Sequence, residues 1–337
     1  MAGIALTGGG TAGHIMPCLA LLPELKKKFD KIIYLGGGGM EKELAPKYGL
    51  PFFQTEVIRL ERLKIWKNIK IPFVLKKAAE DAAQILEQEK IDVVFSKGGY
   101  AALPCCFAAK KLKIPLIVHE SDYTMGVANK LTARFARHIL TSFPETKGGE
   151  YIGNPIREEI LAGDPERARA KYRLSHRPLI LVFGGSLGAE AINRAVYAAA
   201  SQLVKTHTLF HITGKSGVAQ TISGYTQTDY ADDIADLYAL AEIVVMRGGA
   251  NSLAETAALG KRTLSIPLPK GLSRGDQPDN AKSYQLRGLA EVLPQSELTP
   301  ESLIRAINAL IFKPSPRPEK SAANAKIARI LFDSALK

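Results

Sequence analysis

Short apolar runs alternate with amphipathic stretches along most of the chain. Ile4–Thr7 is apolar and ends in the glycine cluster Gly8–Gly13, and a helix is expected from Ile15 to Lys28. Lys31–Leu35 reads as the next strand, followed by a glycine-rich turn and a helix over Met40–Tyr48. Further strands are expected at Asp92–Ser96, Leu116–His119 and His138–Thr141. Apolar runs separated by helical segments predict buried parallel strands joined by crossover helices. Such a sheet is covered by helices on both faces.

The second half repeats this grammar. Leu179–Phe183 is apolar and ends in Gly184–Gly188, with a helix expected from Glu190. Strands are expected at Thr208–Thr213, Ile243–Met246 and Thr263–Pro267; Gly214 follows the first and Arg247-Gly248-Gly249 the second. The fold class is therefore α/β, with two tandem doubly wound, Rossmann-like domains facing a cleft. The pattern breaks over Gly153–Gly163, which sets the domains at 1–158 and 159–318. Residues 319–337 read as an amphipathic helix that packs back toward the N-terminal domain.

One segment departs from the pattern. Arg59–Lys77 holds Arg59, Arg62, Lys64, Lys67, Lys70, Lys76 and Lys77 against the single acid Glu61. Between them stand bulky apolar residues, among them Ile65, Phe73 and the only tryptophan, Trp66. An anionic lipid interface calls for this mixture. A helix with a solvated basic face produces the same pattern. On the first reading, Lys64, Ile65, Trp66, Lys67 and Lys70 make the membrane contact.

The length of 337 residues exceeds one ordinary core and suits two domains. A formal net charge of +12 calls for acidic partners: nucleic acid, anionic lipid or phosphorylated substrates. Aromatic residues are sparse at 7% and no reader motif appears, which argues against nucleic acid. Cys18, Cys105 and Cys106 form no C-x-x-C pair, so they read as buried thiols rather than a disulfide framework or zinc site. The N-terminus has no basic region before its apolar residues and does not read as a signal peptide. No uncharged apolar run reaches the roughly 18 residues a membrane span needs, so membrane contact is expected to be peripheral.

Gly8–Gly13 is literally G-x-G-x-x-G between a strand and a helix. A dinucleotide site also wants an acidic residue about 20 residues on, at the end of the next strand. That strand ends in Leu35 and Gly36–Gly39, with no carboxylate in place. No glycine cluster is followed by G-K-[ST], and H-E-x-x-H and D-x-D pairs suited to a metal-bound nucleotide are absent. Several loops remain that lead from strands into helices: Gly8–Gly13, Gly98-Gly99, Gly184–Gly188 and Gly248-Gly249. Backbone N–H groups there bind phosphate or sugar oxygens without side-chain help.

Seven stretches, in order from about residue 4 to 290, resemble the MurG family of undecaprenyl-diphospho-muramoylpentapeptide N-acetylglucosaminyltransferases. They are Gly8–Pro17, Lys97-Gly98-Gly99-Tyr100, His119–Asp122 with Gly126 and Asn129-Lys130, Gly153–Arg157, Gly184–Ala189, Arg247–Glu255, and Asp276-Gln277 with Asn280-Ala281. The resemblance implies an inverting GT-B type glycosyltransferase with no tightly bound metal or other cofactor. UDP-N-acetylglucosamine would be the donor and a muramyl-pentapeptide on undecaprenyl diphosphate the acceptor, at the cytoplasmic side of a membrane. It places Arg157 and Ser186 on the donor diphosphate and Ala231 to Ile234 near the uracil. Ala250, Asn251, Ser252, Leu253, Ala254 and Glu255 begin a helix facing phosphate, with Glu255 on the ribose. Asp276 and Gln277 hold the sugar; Thr11, Ala12 and Gly13 complete the cleft. Ala12 stands where the family has Gly, Asp276 where it has Gln, and Asp122 where it has Asn. An ionised Asp accepts hydrogen bonds and does not donate them.

For the base, His14 opens a helix after a glycine loop, and imidazole suits proton transfer near neutral pH. Asp122 and Glu120 are the rival bases, or orient the imidazolium. His119 ends a strand and serves structure. A UDP-sugar epimerase, a transferase acting on diacylglycerol and a non-catalytic nucleotide-sugar binder remain as alternatives.

Overall fold

The structure, a computed structural model, describes residues 2–57, 71–185, 188–215, 217–271, 276–319 and 321–336. Lys64, Ile65, Trp66, Lys67, Lys70 and Ser186 lie outside the described residues. The chain divides into two compact units: Met1–Arg157 together with Ser321–Lys337, and Glu158–Lys320.

The first unit begins β1 (Gly3–Thr7), α1 (Ala12–Leu19), α2 (Leu22–Leu25), β2 (Lys31–Gly36), α3 (Met40–Lys47) and β3 (Phe52–Gln54). It continues α4 (Ile71–Gln88), β4 (Val93–Ser96), α5 (Leu103–Leu112), β5 (Leu116–Glu120), α6 (Val127–Thr132), β6 (His138–Thr141) and β7 (Glu150–Tyr151). The strands form one parallel sheet in the order β3-β2-β1-β4-β5-β6-β7. β1, β4 and β5 are buried along their whole length, as central strands covered on both faces must be.

The single helix expected over Ile15–Lys28 is two helices. Pro23 has no N–H to continue the ladder, so the chain turns at Ala20–Leu21, with Leu21 N–H bonded back to Cys18 O at 3.2 Å. Helical geometry also starts earlier than Ile15, at Ala12.

The second unit runs α7 (Glu158–Leu161), α8 (Pro165–Tyr172), β8 (Leu179–Phe183), α9 (Glu190–Leu203), β9 (Thr208–Ile212), β10 (Tyr225–Thr228) and α10 (Ile234–Leu240). It closes with β11 (Ala241–Met246), α11 (Ala250–Ala258), β12 (Arg262–Ser265), α12 (Gln277–Leu286), β13 (Glu291–Val292) and α13 (Pro300–Ile311). Its parallel sheet has the order β10-β9-β8-β11-β12-β13. Both units are thus doubly wound α/β sheets. The strand expected to reach Pro267 stops at Ser265, and the one expected from Ile243 begins at Ala241.

The last helix, α14 (Ala323–Ala335), belongs to the core of the first unit. Ala323, Ile327, Ala328 and Leu331 are all 0% exposed and join the cluster of Ile4, Ile15, Leu25 and Phe95. Phe332 meets Phe29 edge-on at 5.7 Å between ring centroids. Asn324 donates to Ala20 O at 3.0 Å, one of the carbonyls at the break between α1 and α2. It also donates to Ile156 O at 2.7 Å and accepts Ile156 N–H at 3.1 Å, so α14 grips the segment that leads to Arg157. Among the described residues no helix is long and apolar enough to cross a membrane.

Removing the Leu331 side chain opens a hole that the packed core closes only in part. Leu331→Ala is expected to destabilise the first unit by about 2–5 kcal/mol. Hydrogen exchange checks this: amides of the first sheet should exchange faster in the variant, while those of the second sheet keep their protection.

Candidate active site

In each unit the chain leaves two neighbouring parallel strands toward opposite edges of the sheet, and ligand sites in open α/β sheets form at the carboxyl ends of such strands. In the first unit these strands are β1 and β4, with Thr7 paired to Ser96. Their ends carry Gly8–Gly10 and Lys97–Gly99. Gly99 has φ +81°, and a Cβ there would stand 2.7 Å from Gly9 O, so the two loops touch only because this residue is glycine. The same Cβ would lie 3.3 Å from His14 Cδ2 and 3.5 Å from Nε2, which places the imidazole edge against this junction.

His14 occupies the first turn of α1, its N–H bonded to Thr11 O at 3.1 Å. Its Nδ1 lies 3.1 Å from Lys97 O. A carbonyl only accepts, so Nδ1 carries the proton and Nε2 the lone pair. That is the tautomer a general base needs, with the ring oriented by backbone.

The Lys97 side chain turns inward and is 0% exposed. Its Nζ lies 2.6 Å from His119 Nδ1 and 3.4 Å from Asn154 Oδ1. His119 Nε2 is 2.9 Å from Gly153 O, so Nε2 donates and Nδ1 accepts from the ammonium. Burial and the neighbouring ammonium hold His119 well below the usual imidazole range, hence neutral. Burial pulls Lys97 itself down to about 8, while the Glu120 and Asp122 carboxylates draw it back up. One side chain therefore ties the tips of β4 and β5 to Gly153-Asn154, three residues before Arg157.

Glu120 is 1% exposed and accepts three hydrogen bonds: from Asp122 N at 3.0 Å, Gly126 N at 2.8 Å and Asn129 Nδ2 at 2.8 Å. It braces the loop that presents Asp122, which is half-buried. Glu41, also 1% exposed, accepts Gly37 N at 3.0 Å and Gly10 N at 3.4 Å. The first glycine loop thus directs an N–H at a protein carboxylate, an arrangement unlike a dinucleotide cradle.

In the second unit the switch lies between β8 and β11, whose ends carry Gly184-Gly185 and Arg247–Gly249. α11 begins at Ala250 with Gly249 as its cap and no side-chain cap bond, and the positive end of its dipole favours an anion there. Asn251 and Ser252 are half-buried there, while Leu253 and Ala254 face the core. Tyr238, itself buried, donates to Glu255 Oε2 at 3.2 Å and fixes that carboxylate one turn on. Asn280 Nδ2 donates to Gly248 O at 3.2 Å from α12. Asp276 stands at the start of α12, and Gln277 Oε1 accepts Leu268 N at 2.9 Å, which leaves the Gln277 amide N–H groups as donors. Ala231 is 9% exposed, and its neighbour Tyr230 is 75% exposed.

The structure gathers Thr11, Ala12, Gly13, His14 and the Glu120–Asp122 loop around one switch point of the first unit. It gathers Ala250–Glu255, Asp276 and Gln277 around that of the second. Lys97, Glu41, Asn154, Tyr230 and Tyr238 were not assigned roles from sequence. For Lys97 and Glu41 the only signal is a charged residue beside a glycine cluster.

A buried polar chain begins beside Gly188, where a Cβ would stand 2.8 Å from Thr213 O. Asn193 Nδ2 donates to Thr213 O at 2.8 Å, so its Oδ1 accepts from His211 Nε2 at 3.0 Å. His211 Nδ1 then accepts from the Tyr225 hydroxyl at 2.8 Å. Burial pushes His211 down to about 4. The unfolded chain takes up this proton near pH 6.5, so His211 supports the fold fully above that pH and loses support as pH falls toward 4. Its share is about 1.4 kcal/mol per pH unit in that window. Urea unfolding at a series of pH values should show this slope for the second unit, and His211→Gln should flatten it.

The N-terminal domain of glycosyltransferase family 28 matches residues 4–141, and its C-terminal domain matches residues 179–332. A Geobacillus thermodenitrificans protein is 42% identical over 320 residues, covering 91% of this chain and 90% of its own. Its name is UDP-N-acetylglucosamine–N-acetylmuramyl-(pentapeptide) pyrophosphoryl-undecaprenol N-acetylglucosamine transferase. The protein of the same name from Clostridium perfringens is 39% identical over 319 residues, covering 91% of this chain and 89% of its own. The crystal structure of Acinetobacter baumannii MurG aligns with a TM-score of 0.73 at 26% identity, over 100% of this chain and 94% of that one. With both halves matched and the likeness running through nearly the whole length, the chain belongs to the MurG family of N-acetylglucosamine transferases, within glycosyltransferase family 28.

Proposed function

We propose that the protein transfers N-acetylglucosamine, with inversion, from UDP-N-acetylglucosamine to the 4-hydroxyl of a muramyl-pentapeptide carried on undecaprenyl diphosphate. This is a step of peptidoglycan synthesis. The observation that carries the reading is His14, its Nδ1 proton held by Lys97 O and its Nε2 edge set against the two glycine loops.

In the reaction, Nε2 of His14 takes the proton as the acceptor oxygen attacks the anomeric carbon. The bond from that carbon to the UDP oxygen breaks, and UDP leaves with the electron pair. Asp122 is the rival base; Glu120 acts through the loop it braces. The charge on UDP is met by Arg157 and by the N–H groups opening α11, with Ser186 assigned to the same diphosphate by resemblance. Glu255, steadied by Tyr238, accepts from the ribose hydroxyls. Asp276 accepts from the sugar and Gln277 donates to it. Ala231 lies against the uracil, and Thr11, Ala12 and Gly13 line the acceptor side.

UDP release from UDP-N-acetylglucosamine, measured in EDTA with and without the lipid-linked muramyl-peptide, tests the whole reading. Release that depends on the acceptor is the expected result; epimer formation or release with a diacylglycerol acceptor would replace it. His14→Ala should lose at least about 100-fold in turnover, the usual scale of general-base catalysis, while still binding UDP-N-acetylglucosamine. Near-normal turnover would hand the base role to Asp122.

The acceptor's lipid calls for a membrane surface. Phe73, at the start of α4, is 76% exposed, and Lys76 and Lys77 follow one turn later. With Lys64, Ile65, Trp66, Lys67 and Lys70 immediately before them, they support peripheral binding to anionic lipid at the cytoplasmic side. Reversing the charge at Lys64, Lys67 and Lys70 should weaken sedimentation with phosphatidylglycerol vesicles; unchanged binding would leave the segment a solvated basic face.

A further inference from the structure

The turn from Tyr230 to Asp233 leads into α10 and is held from outside the sheet by α8. Lys171 Nζ lies 2.9 Å from Asp232 Oδ1 and 3.1 Å from Asp233 Oδ2. The Tyr172 hydroxyl donates to Asp233 Oδ1 at 2.7 Å, and its ring meets Phe210 of β9 edge-on at 4.6 Å. Arg167 forms a two-pronged pair with Asp236, Nε to Oδ2 at 2.9 Å and Nη2 to Oδ1 at 2.7 Å. Asp236 Oδ1 also accepts Asp164 N–H at 2.8 Å. A Cβ on Gly163 would stand 2.1 Å from Ala235 O, so the start of this segment touches α10 backbone to backbone.

The charges answer one another. Hydrogen bonds from Lys171 hold Asp232 below the usual carboxylate range, and those from Arg167 do the same for Asp236. Exposed ion pairs contribute little to global stability, and the Lys171–Asp232 pair is 48% and 79% exposed on its two side chains. Geometry is what such contacts supply here. Three side chains from two turns of α8 fix Asp232, Asp233 and Asp236. The residues just before them are Ala231, which is buried, and Tyr230, whose ring stands in solvent.

We infer that α8 is a positioning element for nucleotide recognition: Lys171, Tyr172 and Arg167 set the turn so that Ala231 and the Tyr230 ring receive the pyrimidine base of a nucleoside diphosphate. This rests on the assignment of Ala231 to the uracil. None of the three α8 side chains touches the base; they act through the carboxylates. Loss of the clamp costs donor affinity and base selectivity, and leaves the chemical step intact.

The test uses the full chain, with UDP and CDP as probes in calorimetry and with donor kinetics alongside. The double variant Lys171→Met, Arg167→Met is expected to bind UDP about 10-fold more weakly, a change of about 1.4 kcal/mol. KM for UDP-N-acetylglucosamine should rise by the same factor, with kcat held at saturating donor, and the preference for UDP over CDP should narrow. Lys171→Arg should keep the wild-type values, and Lys171→Asp combined with Asp232→Lys should restore most of the affinity lost in Lys171→Asp alone. A double variant, or in its place Lys171→Gln, that binds UDP within twofold of wild type would overturn the inference, even with a lowered melting temperature. Failure of the wild-type protein to bind UDP would instead sink the donor assignment on which the inference rests.

Discussion

An ammonium group shut away from water must be answered on every side, and the arrangement of the first unit follows from how Lys97 is answered. Its Nζ requires acceptors, and His119, the nearest, can be one only while neutral. His119 in turn requires Gly153 O to keep its other proton. Asn154 and the carboxylates of the Glu120 loop complete the surroundings. The tips of two strands and the exit toward Arg157 are thereby locked together. The carbonyl of the same residue orients His14. Replacing a buried charge network with apolar residues often leaves a protein as stable or more so, so stability alone does not account for this one. What it supplies is position: the His14 ring, the Glu120 loop and the segment leading to Arg157 are all set from one buried point.

The second unit braces its loops differently. Beside Gly188, Thr213 O is held by Asn193, His211 and Tyr225, a neutral chain in which each donor has one acceptor. Its other loop is held by Asn280 and the head of α12. The contrast fits the work assigned to each unit. A site that receives diphosphate gains from helix N-termini turned toward it, whereas a site that moves a proton gains from fixed charge close at hand.

The central strands were legible because burial on both faces leaves an unbroken apolar signature; Leu179–Phe183 and His138–Thr141 match residue for residue. The strands that went unread are β3, β7, β10 and β13, the two edges of each sheet. Edge strands are short and half exposed, so Phe52–Gln54 and Tyr225–Thr228 carry no such run. The error over Ile15–Lys28 came from weighting apolar period above Pro23. At the site, glycine clusters told where ligand-facing loops lie, because strand ends in this topology must place them there. They could not tell which side chains turn inward. Lys97 reads as one more surface lysine beside a loop, and Glu41 as one more helix-surface acid, until the packing around them is seen.

The membership of α14 in the first unit has a bearing on how the protein is made. A ribosome delivers Glu158–Lys320 as one uninterrupted stretch, so the second unit can close as soon as it emerges. The first unit, although synthesised earlier, waits through all of that time with the groove for Ile327 and Leu331 uncovered. Its exposed apolar surface is greatest just when its neighbour is folding, which makes that interval the one in which a chaperone or a membrane surface has the most to hold.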